Sequence, residues 1–431
     1  MRPRSLAVRL RRPALAALAL LASLAPAAAQ MSPAGTGAVI PAPRQEQLEA
    51  ALEEARWNLG PWRVAPWIGI ENVGYVRGEQ FSGAAADEDD DGDLTATAGA
   101  GLRAYLPFRS EAMLAVHALP RYNWWQDDSE RNAVIGRYGV GFFGFFNRLQ
   151  TEVSARRVED VGFLSADRLV QQPIRDDVAL ASAQLRLGGS TALFGSTTLG
   201  RTRVLDTDAD LAAGAATLLD RDRQESRLGA RYLLRGEQGY LGAGVLREQT
   251  DFVDAELERS SEGTSWYAEA MLRGNNMDVL LGYDQRDLEA QEGGEFPGFA
   301  GSTGRAALAF RPGHRLRLQL YGRRDLGYSA AAVDRFTEEQ RVGLGVQLPI
   351  GRGQIDGFYE QGDDRYFGEL AVTEDVTAYG ASIGFRLGRF FGLSVGGRTT
   401  RFEPPGGPER EIREVQGGLG LSWGSSGGGD W

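Results

Sequence analysis

The residues able to do chemistry are few in this chain, and their types narrow what it can be. None of the 431 residues is cysteine, which excludes thiolate nucleophiles, disulfides and cysteine-held zinc or iron–sulfur centres. Only two histidines occur, His117 and His314. The densest run of metal-type ligands is Asp87-Glu88-Asp89-Asp90-Asp91-Gly92-Asp93. Asp87, Asp89, Asp91 and Asp93 alternate around a glycine, as at the opening of a calcium loop. The bidentate carboxylate that should close such a loop falls at Ala98. A solvated acidic loop is therefore the expectation, with no cofactor; a loose Ca2+ site at residues 87–93 is the alternative. His117 lies within Met113–Leu119, too deep in a strand to serve a serine or aspartate at a rim, and His314 lies in a tight turn. The chain reads as a protein that is not an enzyme.

The charges that remain are numerous and of one basic type. All 47 basic residues are arginine, against 58 acids, and the net charge of −11 argues against a nucleic-acid partner. Glycine contributes 58 residues, about 13% against the usual ~7%. Arginines and carboxylates in such numbers need elements that hold them toward water.

Those elements follow an N-terminal leader. Five arginines within Met1–Arg12, an apolar run Pro13–Leu24 and Ala25-Pro26-Ala27-Ala28-Ala29 read as a secretory signal peptide, residues 1–29. Its removal would take the net charge to −16. Residues 30–61 read as a periplasmic lead carrying one helix, 45–57, with Leu48, Leu52 and Trp57 near one face. From Trp62 the period becomes two. Met277, Val279, Leu281 and Tyr283 alternate with Asp278, Leu280, Gly282 and Asp284; Val342, Leu344, Val346 and Leu348 alternate with Arg341, Gly343, Gly345 and Gln347. The runs reach about 10 to 15 residues, where soluble strands average ~5–6.

Connections alternate in length as well. Tight ones include Pro107–Glu111, Asn147-Arg148, Gly274–Asn276 and Pro349–Gly353; long polar ones include Glu79–Asp93, Ser165–Asp177, Asp206–Asp220 and Pro404–Arg410. This pattern predicts an all-β, transmembrane up-and-down antiparallel β-barrel over 62–424, of about 18 strands with 16 as second choice, and a tail at 425–431. Gly188–Thr198 is open between turn and strand. Phe108, Phe146, Phe194, Tyr240, Phe310 and Phe390 mark one aromatic girdle. Trp124, Trp266, Tyr328, Phe336, Tyr366 and Phe402 mark the other.

The opening Leu59-Gly60-Pro61-Trp62-Arg63-Val64-Ala65-Pro66-Trp67-Ile68-Gly69-Ile70 resembles the LGP-x-R-x-x-P start of outer-membrane β-barrel porins found beside capsular or exopolysaccharide systems. Members of that group often continue Gly-Tyr-Asp-x-Asn-Val; here the order is Asn72-Val73-Gly74-Tyr75. The barrel-ending aromatic is either Trp423 or Trp431. The resemblance implies a Gram-negative outer-membrane barrel with a transport role and supplies no catalytic residues.

The functional surface expected is the lumen. Arg186, Arg227, Arg231, Arg235, Arg273, Arg315, Arg317, Arg341 and Arg386 share a phase with Gln184, Glu269, Asp278, Asp284 and Glu414. Opposed charge arrays in water would set ion selectivity; pairing among themselves would only stiffen the wall. Helix 45–57 either plugs the periplasmic mouth or hangs free, and no loop looks long enough to form a large constriction. The expectation is a monomeric or trimeric channel for small solutes or polysaccharide, inserted by the barrel-assembly machinery into outer-membrane lipid. The rivals are a non-conducting surface scaffold or adhesin and a barrel lipase or protease.

Overall fold

A computed structural model describes residues 40–421, less 41–42, 79–92, 164–170, 206–218 and shorter stretches at other connections. The leader expected at 1–29 and the tail beyond Leu421 lie outside the described residues, as do Asp87, Asp89, Asp91 and His314.

One helix precedes the sheet: α1, Arg44–Glu54. It ends three residues before the expected limit, because Trp57–Leu59 forms a short strand, β1, that pairs with the next strand through the turn at Gly60-Pro61. Gly60 has φ of +62°, which glycine adopts without Cβ strain.

Eighteen long strands follow: β2 Trp62–Gly78, β3 Asp93–Phe108, β4 Ala112–Trp125, β5 Ala133–Phe145, β6 Leu149–Phe163, β7 Gln171–Gly188, β8 Thr191–Val204, β9 Arg221–Leu234 and β10 Gly239–Phe252 complete the first half. The second half is β11 Ser261–Arg273, β12 Met277–Ala290, β13 Phe299–Phe310, β14 Arg317–Tyr328, β15 Asp334–Ile350, β16 Gly353–Gly368, β17 Thr373–Leu387, β18 Phe391–Glu403 and β19 Arg410–Leu421. Each pairs antiparallel with its neighbours in sequence, and β19 pairs with β2, closing the sheet into a barrel. The segment left open by sequence resolves into β7, a Gly189-Ser190 turn and β8.

Closure works because each strand sorts its side chains by phase. On β12, Met277, Leu281 and Tyr283 are exposed on the outside while Asp278, Leu280 and Arg286 are buried on the inside. On β9, exposed Leu228 and Tyr232 alternate with Arg227 and Arg231. An outer face of Leu, Val, Phe and Tyr around a closed ladder suits hydrocarbon, since closure leaves no free sheet edge.

The girdles are only partly as expected. Phe108, Phe146 and Phe310 are exposed at the tight-turn ends, Trp124 and Trp266 are exposed toward the opposite ends with Tyr122, and Tyr283, Tyr359 and Tyr379 are exposed in mid-strand. Phe194 and Tyr240 instead flank the Arg231 guanidinium inside, with ring centroids 3.9 and 4.4 Å away. Tyr328, Phe336, Tyr366 and Phe402 are buried. Phe402 and Tyr366 carry the inner phase of their strands, which outweighs nearness to a strand end. Tyr328 and Phe336 are register partners, beside a register shift between Asp334 and Phe336, the kind of irregularity that re-aims side chains. Phe390 lies outside the described residues.

The glycine excess has a packing role on the inner wall. A Cβ at Gly139 would sit 2.6 Å from Cε1 of His117, and one at Gly343 would enter the Tyr321 ring. Gly343→Val should therefore destabilise the barrel by about 1–3 kcal/mol, lowering its urea midpoint in detergent. Gly357→Ala, whose Cβ would be 3.7 Å from its nearest neighbour, should change it little.

Candidate functional site

The inner wall holds its charges in register. One row of paired positions runs Arg231, Gly242, Glu269, Gly282, Arg305, Arg323, Arg341 across β9 to β15. The glycines make room: a Cβ at Gly242 would lie 3.0 Å from Cγ of Glu269 and 3.2 Å from Cγ of Arg231. Long guanidinium and carboxylate stems thus lie flat along the wall and meet across an intervening strand.

Three groups result. In the first, Arg231 donates to Glu269 at 2.9 Å and to Gln184 at 2.8 Å, clamped between Phe194 and Tyr240. In the second, Glu225 and Glu248 are bridged by Arg223 at 2.9 and 3.0 Å. Arg227 reaches Glu225 at 2.7 Å and Arg286 reaches Glu248 at 3.4 Å. In the third, Arg341 meets Asp364 at 2.6 Å and Glu360 at 3.8 Å, and Arg323 meets Glu339 at 3.4 Å. The Tyr321 hydroxyl donates to Glu360 at 2.9 Å. This third group is nearly dry: Arg341 is 4% exposed and Asp364 0%. Arg305, by contrast, is exposed on the inner phase of β13.

The expected lumen residues mostly gather here. Arg186, Arg227, Arg231, Glu269, Arg273, Asp278, Asp284, Arg317 and Arg341 all take the phase opposite their strands' exposed apolar residues. Arg315 does not. It lies in the connection before β14 and is exposed, because the strand begins only at Arg317. Arg235 and the side chains of Arg386 and Glu414 lie outside the described residues. Sequence reading passed over Arg223, Glu225, Glu248, Arg286, Arg305, Arg323, Glu339, Glu360 and Asp364. Each follows from the same parity rule once the outer phase of its strand is fixed.

The two mouths differ. At the tight-turn end α1 lies inside the barrel, with Leu48, Ala51 and Ala55 packed on Ala65, Tyr105, Met113, Ala115 and Phe143. Arg44 forms an ion pair with Glu152 at 3.3 Å, and Glu46 lies 3.9 Å from Arg273 on β11. Ile40 is seated against β11–β14, among Leu280, Ala307, Ala309 and Tyr321. The N-terminal segment thus touches two separate arcs of the wall. An eleven-residue helix is marginal alone, so the wall contacts hold it; burying Leu48 contributes roughly 2–3 kcal/mol.

At the long-loop end lies a buried apolar cluster: Ile174, Val204, Leu219, Phe252, Leu288, Phe299, Tyr328 and Phe336. The Tyr328 hydroxyl donates to that of Thr250 at 2.9 Å, and its ring meets Phe252 edge-on at 5.1 Å. Seven of the cluster's eight residues are borne by strands and Leu219 by the connection before β9.

Of the remaining candidates, only His117 and Asp93 lie among the described residues. His117 is buried, with Arg103 and Gly139 as its register partners. Asp93 opens β3, buried, and its carboxylate accepts the backbone N–H of Asp127 at 3.1 Å. Among the described residues no group of three or more metal-type ligands converges, and no helix is long and apolar enough to cross a membrane.

No protein-family model matches the sequence, and no curated protein matches it significantly. Several solved structures are similar in shape. OccK2 (OpdF) of Pseudomonas aeruginosa is 13% identical with a TM-score of 0.49, over 83% of this chain and 98% of that one. The FrpB iron transporter of Neisseria meningitidis is 9% identical with a TM-score of 0.46, over 78% of this chain; this chain spans only 62% of FrpB. A porin mutant of Rh. blastica is 13% identical with a TM-score of 0.36, over 83% and 99% of the two chains. Likenesses at such identities concern barrel architecture, which the strand pairings establish on their own.

Removing one member of the dry group leaves buried charge uncompensated. Arg341→Met should destabilise the barrel by about 3–5 kcal/mol, whereas Arg305→Met, at an exposed position, should cost under about 1 kcal/mol. Equilibrium unfolding in detergent measures both.

Proposed function

We propose that this chain is a channel protein of the Gram-negative outer membrane that passes small solutes through a charged lumen. One observation carries the reading: a closed eighteen-stranded barrel turns its apolar phase outward and its arginine–carboxylate phase inward. Eighteen strands enclose a width sufficient for an aqueous path, and exposed lumen charge such as Arg305 gives that path selectivity. The barrel-assembly machinery and outer-membrane lipid are the partners this architecture requires, with a monomer or homotrimer as the assembly. The resemblance of the Leu59–Ile70 stretch to barrels beside exopolysaccharide systems extends the solute class to polysaccharide.

A second reading is favoured by α1 at one mouth and the aromatic cluster at the other: a non-conducting barrel serving as a surface scaffold. Planar-bilayer recording across a salt gradient separates the two. A channel gives discrete steps with a stable reversal potential, and Arg305→Glu shifts that potential toward cation selectivity. Silence from protein whose insertion is confirmed by heat-modifiable gel migration supports the scaffold.

A further inference from the structure

α1 is poorly equipped to stand by itself. Its N-cap residue, Pro43, makes no side-chain hydrogen bond to the first turn, so that turn is without the cap that Ser, Thr, Asp or Asn would supply. Glu53 and Glu54 fill the last turn, which holds no basic residue; carboxylates there oppose the helix dipole. At eleven residues the helix is shorter than an isolated helix needs in water. Its order therefore comes from docking, with Leu48 and Ala51 buried against β2–β5.

Arg44 ties the first turn to the wall. Its Nε and Nη2 donate to the two carboxylate oxygens of Glu152 on β6, each at 3.3 Å, and its Nη1 donates to Gln47 of the same helix at 2.9 Å. The guanidinium also lies 5.8 Å from the centre of the Phe143 ring on β5. A bidentate arginine–carboxylate pair fixes direction as well as distance. Behind the helix the chain is anchored, since β1 pairs with β2 at Trp57 with Val64, Asn58 with Arg63 and Leu59 with Trp62. Ala55 and Arg56 lie between helix and anchor, outside both elements.

The docked segment has seats on both sides of the mouth. The apolar side of α1 rests on β2–β5, with Met113 and Ala115 of β4 among its contacts. Ile40, four residues before Arg44, is seated on Leu280, Ala307, Ala309 and Tyr321 of β12–β14. In the closed ring of long strands β13 is half-way round from β4, so the two seats face one another over the bore.

We propose that α1 is a hinged gate: docked, it closes the tight-turn mouth, and the Arg44–Glu152 pair is the latch whose opening lets it swing aside on Ala55 and Arg56. The inference rests on the channel reading, to which it adds the control of passage. Undocking also melts the helix, so the gate has two states rather than a range.

The test uses the absence of cysteine. Met113→Cys, in the full-length refolded barrel, places a thiol on β4 beneath α1, where Met113 is buried. Adding Arg44→Glu, which sets two carboxylates against each other, should raise the rate of its reaction with a maleimide at least about tenfold. Adding Glu152→Arg as well should shield the thiol again. In planar bilayers Arg44→Glu should open more often or for longer than the wild type, and the exchanged pair should restore wild-type behaviour. Separately, Arg44→Cys/Glu152→Cys bridged by a short bis-methanethiosulfonate should hold the mouth shut, and dithiothreitol should reopen it. That reversal takes place within one folded sample and needs no comparison between variants. A thiol indifferent to Arg44→Glu, or a barrel that conducts equally when bridged and when reduced, overturns the gate alone. Silence from every form, with the thiol still obeying the latch, sinks the channel reading and the gate with it.

Discussion

Everything in this molecule depends on the pairing of β19 with β2. A strand with a free edge in hydrocarbon would leave a row of N–H and C=O groups unsatisfied, at several kcal/mol each, and closure removes that edge. Once the ladder is closed, the alternation of every strand has a single meaning: one phase faces lipid and the other the interior. The antiparallel order, the eighteen long strands and the short turns at one end follow from that constraint. Glycine then relieves crowding on the inner wall, as where the His117 ring lies against Gly139.

Putting arginines and carboxylates inside such a wall has opposite consequences at different positions. Where side chains interlock, as around Arg341, Asp364 and Glu360, the charges are desolvated and compensate one another, and they stiffen β14–β16. At Arg305, by contrast, the guanidinium is left exposed on the inner phase. The interlocked charges and the exposed Arg305 thus occupy different places on one inner wall. The two ends differ as well, one carrying α1 docked on the inner wall and the other a cluster of packed rings.

The barrel was readable because period-two alternation persists from Trp62 to the end of β19 and the connections alternate in length. The inner phase of Arg231 and Asp278 was legible for the same reason. Three features were not. Arg315 looked like part of a strand, but β14 starts two residues later. Tyr328 and Phe336 were placed by nearness to a strand end, whereas both are buried in a ring–ring cluster. The docking of α1 depends on Glu152 and Arg273, respectively 108 and 227 residues from their partners, a pairing no local pattern encodes.

The central claim is the division between a lipid-facing outer phase and a water-facing inner phase, and β12 tests it most directly. Single nitroxides placed in turn from Met277 to Asp284 can be probed with oxygen, which partitions into lipid, and with a water-soluble nickel chelate. The account predicts strict antiphase of period two. Oxygen should dominate at Met277, Val279, Leu281 and Tyr283, and the chelate should gain at Asp278, Gly282 and Asp284. Accessibility to the chelate at every position, or a profile without alternation, would contradict it.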